Sequence, residues 1–134
     1  MSVVIQRQPS KTSCGPTVVA MILALPVESI LAQLPSVRRG RRLKKRTHGT
    51  NYAELCRLLE PHGVTLSRQY RETPSENGTS VLRVKHEKGA NWHWMLLHYG
   101  VVYDSVDASE MSLSEFLQSV GPRRVSYYSL IVKE

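Results

Sequence analysis

Apolar positions fall at helical spacing in the first half of the chain and at strand spacing in the second. The run from Val18 to Leu25 follows Ser13 and Pro16, which predicts a first helix starting near Cys14. Ser13 suits the N-cap, and Pro16 lies in the first turn, where its missing N–H costs nothing. Pro26 ends that helix, because a proline disfavours helical backbone in the residue before it. Val27, Ile30, Leu31 and Leu34 then share one helix face, up to Pro35. Asn51, with Glu54 three residues on, opens a third helix running to about Pro61. Its stripe is Tyr52, Leu55, Cys56, Leu58 and Leu59, which makes Cys56 a core residue, and Gly63 suits its end. Val64 to Tyr70 and Thr79 to Lys85 read as strands around a polar loop, Arg71 to Gly78, and Glu87 to Ala90 is a turn. Ser112-Leu113-Ser114-Glu115 is a capping box for a short helix through Val120, ended by Gly121-Pro122. Val125 to Val132 is a last strand, and Val3-Val4-Ile5 a short strand-like piece. Helices first and mostly antiparallel strands afterwards predict an α+β fold, a helical part packed on a sheet.

The segment Asn91 to Ser105 predicts a β-hairpin turning at Tyr99-Gly100. With a two-residue loop, His98 pairs with Val101 and Met95 with Asp104. His93 and Asp104 then lie on one face as diagonal neighbours, and His98 projects from the other. Tyr is a poor first residue for a type I′ turn, which leaves a longer loop open. A four-residue loop keeps this parity, and a three-residue loop reverses it.

Composition adds little until charge is considered. The 134 residues, 41% hydrophobic and 22% charged, are expected to form one soluble domain spanning 1–134. No run is long enough to span a membrane, and Met1 to Gln8 lacks a signal-peptide core. Two cysteines in that context point to a reducing, cytoplasmic setting. They stand 42 positions apart with no Cys-x-x-Cys or His-x-x-x-His pair, so a zinc site is not expected. His48, His62 and His86 have nothing at ligand spacing. There is no phosphate-binding loop or dinucleotide fingerprint, and no cofactor is implied. The net charge is +7, much of it from Arg38, Arg39, Arg41, Arg42, Lys44, Lys45 and Arg46. That run reads either as a solvated loop between helices or as an arm for nucleic acid or an acidic protein. No aromatic residue interleaves it, so stacking on single strands is unsupported.

The chemistry-bearing candidates are Cys14, His93, Asp104 and Gln8. A thiol at a helix N-terminus meets free N–H groups and the positive end of the dipole, which favour the thiolate. The bland alternative is a small buried hydrophobe. Acyl transfer by a thiolate generates an oxyanion that needs donors, such as a side-chain amide and the backbone N–H of the nucleophile. Gln8 or, in reserve, Gln6 could supply the amide; either could equally be a solvated surface residue.

Gln8, Cys14-Gly15-Pro16-Thr17, a His opening an apolar strand and an Asp one strand later resemble the papain-like cysteine peptidases. The likeness is greatest to the double-glycine leader peptidases that process bacteriocin precursors. It implies a papain-like fold, a bacterial source and a protein or peptide substrate cut after small residues such as Gly-Gly. It also implies Cys14 as nucleophile, His93 as base, Asp104 as its orienting partner, and Gln8 in the oxyanion site. The family does not, as a pattern, carry the Arg38–Arg46 run. The same triad would serve a deamidase, transglutaminase or acyltransferase, since each passes through a thioester. A basic binding module with an idle thiol is the other alternative.

Overall fold

A computed structural model of the chain describes residues 3–10, 12–34, 37–39, 42–44, 50–68, 77–85, 92–120 and 125–132. Helix α1, Cys14–Leu23, begins where the apolar run and Pro16 place it. Ser13 stands at its N-cap, but the hydroxyl does not cap the helix; it donates to the Ser10 carbonyl at 2.8 Å. Ser13 is held by the preceding loop instead, because its Oγ also accepts from the Ser10 N–H at 2.9 Å. Ala24, in left-handed backbone, closes α1. Helix α2, Val27–Leu31, is shorter than its apolar stripe; residues 32–34 tighten into turns. Helix α3, Tyr52–Leu59, carries the full capping box between Asn51 and Glu54 and runs into a short 3-10 turn at Glu60–His62.

Strands β1, Val37–Arg39, and β2, Arg42–Lys44, pair antiparallel as a sheet of their own. The basic run, expected as a loop or an arm, thus contains a two-stranded hairpin; Arg41, Lys45 and Arg46 lie outside the described residues. The main sheet holds β3, Val64–Arg68; β4, Thr79–Lys85; β5, Trp92–His98; β6, Val101–Asp104; β7, Ser109–Ser112; and β8, Val125–Val132. Its order is β3-β8-β4-β5-β6-β7, antiparallel throughout. Helix α4, Leu113–Val120, follows β7, with the Ser112 hydroxyl accepting from the Glu115 N–H at 3.2 Å. The predicted turn at Glu87–Ala90 and most of the polar loop before β4 lie outside the described residues, as do His48 and His86.

The sheet is apolar on both faces, and each side has its own cover. Val81, Trp94 and Leu96 pack with the buried faces of α1, α2 and α3. Their alternates Leu82, Val84, Met95, Leu97 and Val102 pack with Leu113 and Phe116 of α4. Side chains of opposite parity reach opposite faces of a strand, so Val81-Leu82 of β4 and Trp94 to Leu97 of β5 are apolar without a break. The expected helix-on-sheet arrangement is therefore joined by a second layer behind the sheet. Cys56 departs from its expected place in the core. It sits on the flank of the α3 stripe, half-buried, beside a cavity of about 260 Å³ bordered by Gly63, Val64 and Leu66.

Candidate active site

The hairpin sets the site. His98 pairs with Val101, Leu97 with Val102 and Leu96 with Tyr103 across a two-residue loop. Tyr99 and Gly100 both have positive φ, 46° and 81°, the backbone of a type I′ turn. Tyr99 tolerates that conformation because the turn is tied on both sides. Its N–H donates to the Gly78 carbonyl, and the Gly100 carbonyl accepts from the Leu113 N–H, each at 2.9 Å. The parity is the even-loop one, so His93 and Asp104 meet, with His93 Nε2 3.0 Å from Asp104 Oδ1. His98 faces elsewhere, bonded through Nδ1 to the Thr79 hydroxyl at 2.7 Å.

The ladder between β5 and β6 stops at Leu96–Tyr103. Beyond it the Trp94 N–H turns to the sulfur of Cys14, which α1 delivers to the same end of the sheet. Trp94 is held there by its own indole N–H, which donates to the Thr50 carbonyl at 2.7 Å. Cys14 is 5% exposed. Burial is the largest influence on its thiol and pushes its pKa up. The hydrogen bond with His93, the N–H groups of Trp94 and Gly15 and the imidazolium charge outweigh it, leaving the thiol below its ordinary value. Burial likewise works against the His93 cation, but the bonds and charges of Asp104 and Cys14 prevail and raise it to about 9. With Nε2 engaged by Asp104, Nδ1 is the ring nitrogen left to face the thiol. Both shifts favour the thiolate–imidazolium form of the pair over the neutral thiol and imidazole.

Gly15 is the second constraint on α1. A Cβ there would lie 2.7 Å from the Thr50 Cβ, so only glycine lets the helix start pack this closely. The Thr50 hydroxyl is buried against it with no hydrogen-bond partner.

The two glutamines part company. Gln6 donates to the Leu25 carbonyl at 2.8 Å and accepts from the Val27 N–H at 3.1 Å, so it stitches the N-terminal segment to the α1–α2 junction. Gln8 lies against the far end of the hairpin, its N–H donating to the Ser105 carbonyl at 2.7 Å. Its side-chain Oε1 accepts from the Ser105 hydroxyl at 2.8 Å, and Nε2 donates to the Ser10 carbonyl at 2.9 Å. Ser105 and the Trp94 N–H are parts of this constellation that the sequence reading missed. The only hint of Ser105 was a small polar residue directly after Asp104. On the α4 side of the sheet, His93 and Asp104 also border a cavity of about 250 Å³ lined with Met95, Val102, Met111 and Phe116.

Fold and geometry together describe an α+β protein in which a cysteine at a helix N-terminus meets a His–Asp pair from an antiparallel sheet. No family model and no curated protein matches the sequence. Among solved structures the chain is similar to a double glycine motif protease from an AMS/PCAT transporter, crystallised in complex with the leader peptide. The TM-score is 0.59 at 16% identity, covering 96% of this chain and 91% of that one. At such identity the likeness is one of fold. Among the described residues no helix is long and apolar enough to cross a membrane.

Proposed function

We propose that this chain is a papain-like cysteine peptidase acting on a protein or peptide, with cleavage after small residues such as Gly-Gly. The observation that supports it most is that His93 is joined at once to Cys14 and to Asp104. In this reading the Cys14 thiolate attacks the scissile carbonyl carbon, and the electron pair moves to its oxygen. Gln8 Nε2 and the Cys14 N–H stabilise that oxyanion. As the C–N bond breaks, imidazolium donates its proton to the leaving amine, and a thioester remains on Cys14. His93, now neutral, takes a proton from water, which attacks the thioester; collapse expels the thiolate and frees the acid product. Asp104 holds the ring and stabilises its cation through both halves. The fold neighbour's complex with a leader peptide supports a peptide as the substrate class.

Deamidation or acyl transfer would use the same groups with a different amide or acceptor. The basic run offers a separate contact for an acidic segment of the substrate or for nucleic acid, on a hairpin outside the main sheet.

Two thiols give an internal control. At pH 6 iodoacetamide should label Cys14 far faster than Cys56, as mapped by mass spectrometry, and Cys14→Ala should trap a substrate without turning it over. Labelling of Cys14 no faster than a free model thiol would remove the activated nucleophile and this function with it.

A further inference from the structure

Acyl transfer divides a substrate between two neighbours. The acyl half stays on the Cys14 sulfur, and the leaving nitrogen takes a proton from His93. That transfer needs the nitrogen within about 2.6–3.2 Å of the imidazole, so the leaving half begins beside the ring. The cavity of about 250 Å³ on the α4 side of the sheet shares that ring, since His93 and Asp104 form part of its wall. Among the described residues its lining includes neither Cys14, Trp94 nor Gln8. It therefore adjoins the leaving side of the site and not the acyl side. Its inner part is apolar, made by the buried Met95, Val102 and Phe116. The exposed Lys85, Met111 and Ser119 line its outer part, so it opens to solvent. It is smaller than the ~300–1,000 Å³ of sites for drug-sized ligands, which fits one or two side chains and not a cofactor. Two of its walls are methionines, whose unbranched, polarizable chains adapt to apolar groups of different shape.

We propose, resting on the peptidase reading above, that this cavity is the binding site for an apolar side chain of the leaving segment, on the first or second residue after the scissile bond. Even a fully extended chain advances only about 3.3 Å per residue, so those two positions are within reach of a pocket that begins at His93. A side chain seated there covers the Asp104 carboxylate, which is 31% exposed, and displaces water from the His93–Asp104 bond. Excluding water strengthens the attraction within a charged pair. Specificity then has two parts: small residues before the bond, and a large apolar residue after it.

The reverse step tests this without the natural substrate. By microscopic reversibility, an amine that attacks a Cys14 thioester enters from the leaving side and gives its proton to His93. p-Nitrophenyl acetate first acetylates Cys14, releasing p-nitrophenolate. Amino-acid amides then compete with water for the thioester: the amine nitrogen bonds to the acetyl carbon, the C–S bond breaks, and the N-acetyl amide leaves a free thiol. The ratio of N-acetyl amide to acetate is read by mass spectrometry and corrected for each amine's rate with a small free thioester. Both attacks use the same thioester and the same His93, so general damage to the site cancels in the ratio. Leucine, methionine and phenylalanine amides should capture the acetyl group about 10- to 100-fold more effectively than glycine amide. In Met111→Trp, which fills the outer cavity, that advantage should fall toward one. In Phe116→Leu, which deepens the inner cavity, the balance should shift from leucine amide toward phenylalanine amide, a change that loss of structure does not produce. Equal capture of all amides by the wild type would overturn the inference and leave the peptidase reading standing. So would an apolar preference that both variants leave unchanged, since it would arise elsewhere. Wild-type Cys14 acetylated no faster than a model thiol would refute the peptidase reading, and this inference with it.

Discussion

Replacing Asp104 by Asn removes a charge from the site while keeping a side-chain oxygen for its local turn. That oxygen matters, because Asp104 Oδ1 also accepts from the Val106 N–H at 3.0 Å. In the native protein His93 is raised from 6.5 to about 9, which corresponds to about 3 kcal/mol in favour of the imidazolium. Burial of the ring works against this, so the attractions of Asp104 and Cys14 together exceed that figure. The Asp104 side chain is 31% exposed, and solvent screens part of its charge. A share of roughly 1–2 kcal/mol for Asp104 follows, or about one pH unit. The sign is set by which form the site favours. A raised His93 holds its proton to higher pH, so the alkaline limb of peptide hydrolysis should lie near 9. In Asp104→Asn that limb should fall to about pH 8, with kcat lowered as well because the ring is no longer held in one orientation. The acid limb, set by Cys14, should move little, since His93 is still protonated there. Hydrolysis measured from about pH 5 to about pH 10, with Cys14 alkylation in parallel, reads both limbs. An alkaline limb still near 9 in Asp104→Asn would show that Asp104 does not support the cation, and the orienting role would fail.

Other tests follow from the same geometry. His93→Ala should abolish turnover, whereas His98→Ala, which loses a bond to Thr79 and an edge contact with the Tyr99 ring on another face, should keep the rate within about tenfold in a steady-state assay. Gly15→Ala should cost about 1–3 kcal/mol in chemical denaturation through overpacking against Thr50, and a further Thr50→Gly should recover much of it. Thr50→Val, which removes a buried hydroxyl lacking a partner, should stabilise by about 1 kcal/mol in the same assay. If the Arg38–Arg46 run recruits an acidic partner or nucleic acid, binding should weaken by orders of magnitude between about 50 and 200 mM salt. Hydrolysis of a short neutral peptide should barely respond over that range, and Ser substitutions that leave partner affinity unchanged would make the run an ordinary solvated hairpin.

Local chemistry was the legible part of this fold. The Asn51–Glu54 capping box, the helix start at Cys14 and the hairpin register each depend on residues a few positions apart, and each appears where the pattern placed it. The encounter of His93 with Asp104 was legible for the same reason, since an even loop settles parity. What could not be read depends on docking between distant segments. The Ser13 hydroxyl has the right chemistry for a cap, but the loop at Ser10 claims it. Strand β7 is polar, Ser109 to Ser112, and becomes a strand only because β6 offers an edge. Helix α4 lies behind the sheet, a choice that a capping box does not make. Gln8 was preferred to Gln6 on spacing alone, and it is their partners, Ser105 and Val27, that separate the two physically.

The grip of Ser105 on Gln8 joins residues 97 positions apart. Cys14 and His93 come from comparably remote parts of the chain. Contacts of this range are closed late and at high entropic cost, after local helices and hairpins have formed. The influences that lower the Cys14 pKa are therefore a property of the finished fold: a chain with only its helices, or only its sheet, lacks the His93 partner. During synthesis the N-terminal third emerges before the hairpin that carries His93. On the peptidase reading, the nascent chain thus carries a dormant thiol until its second half has folded around the first.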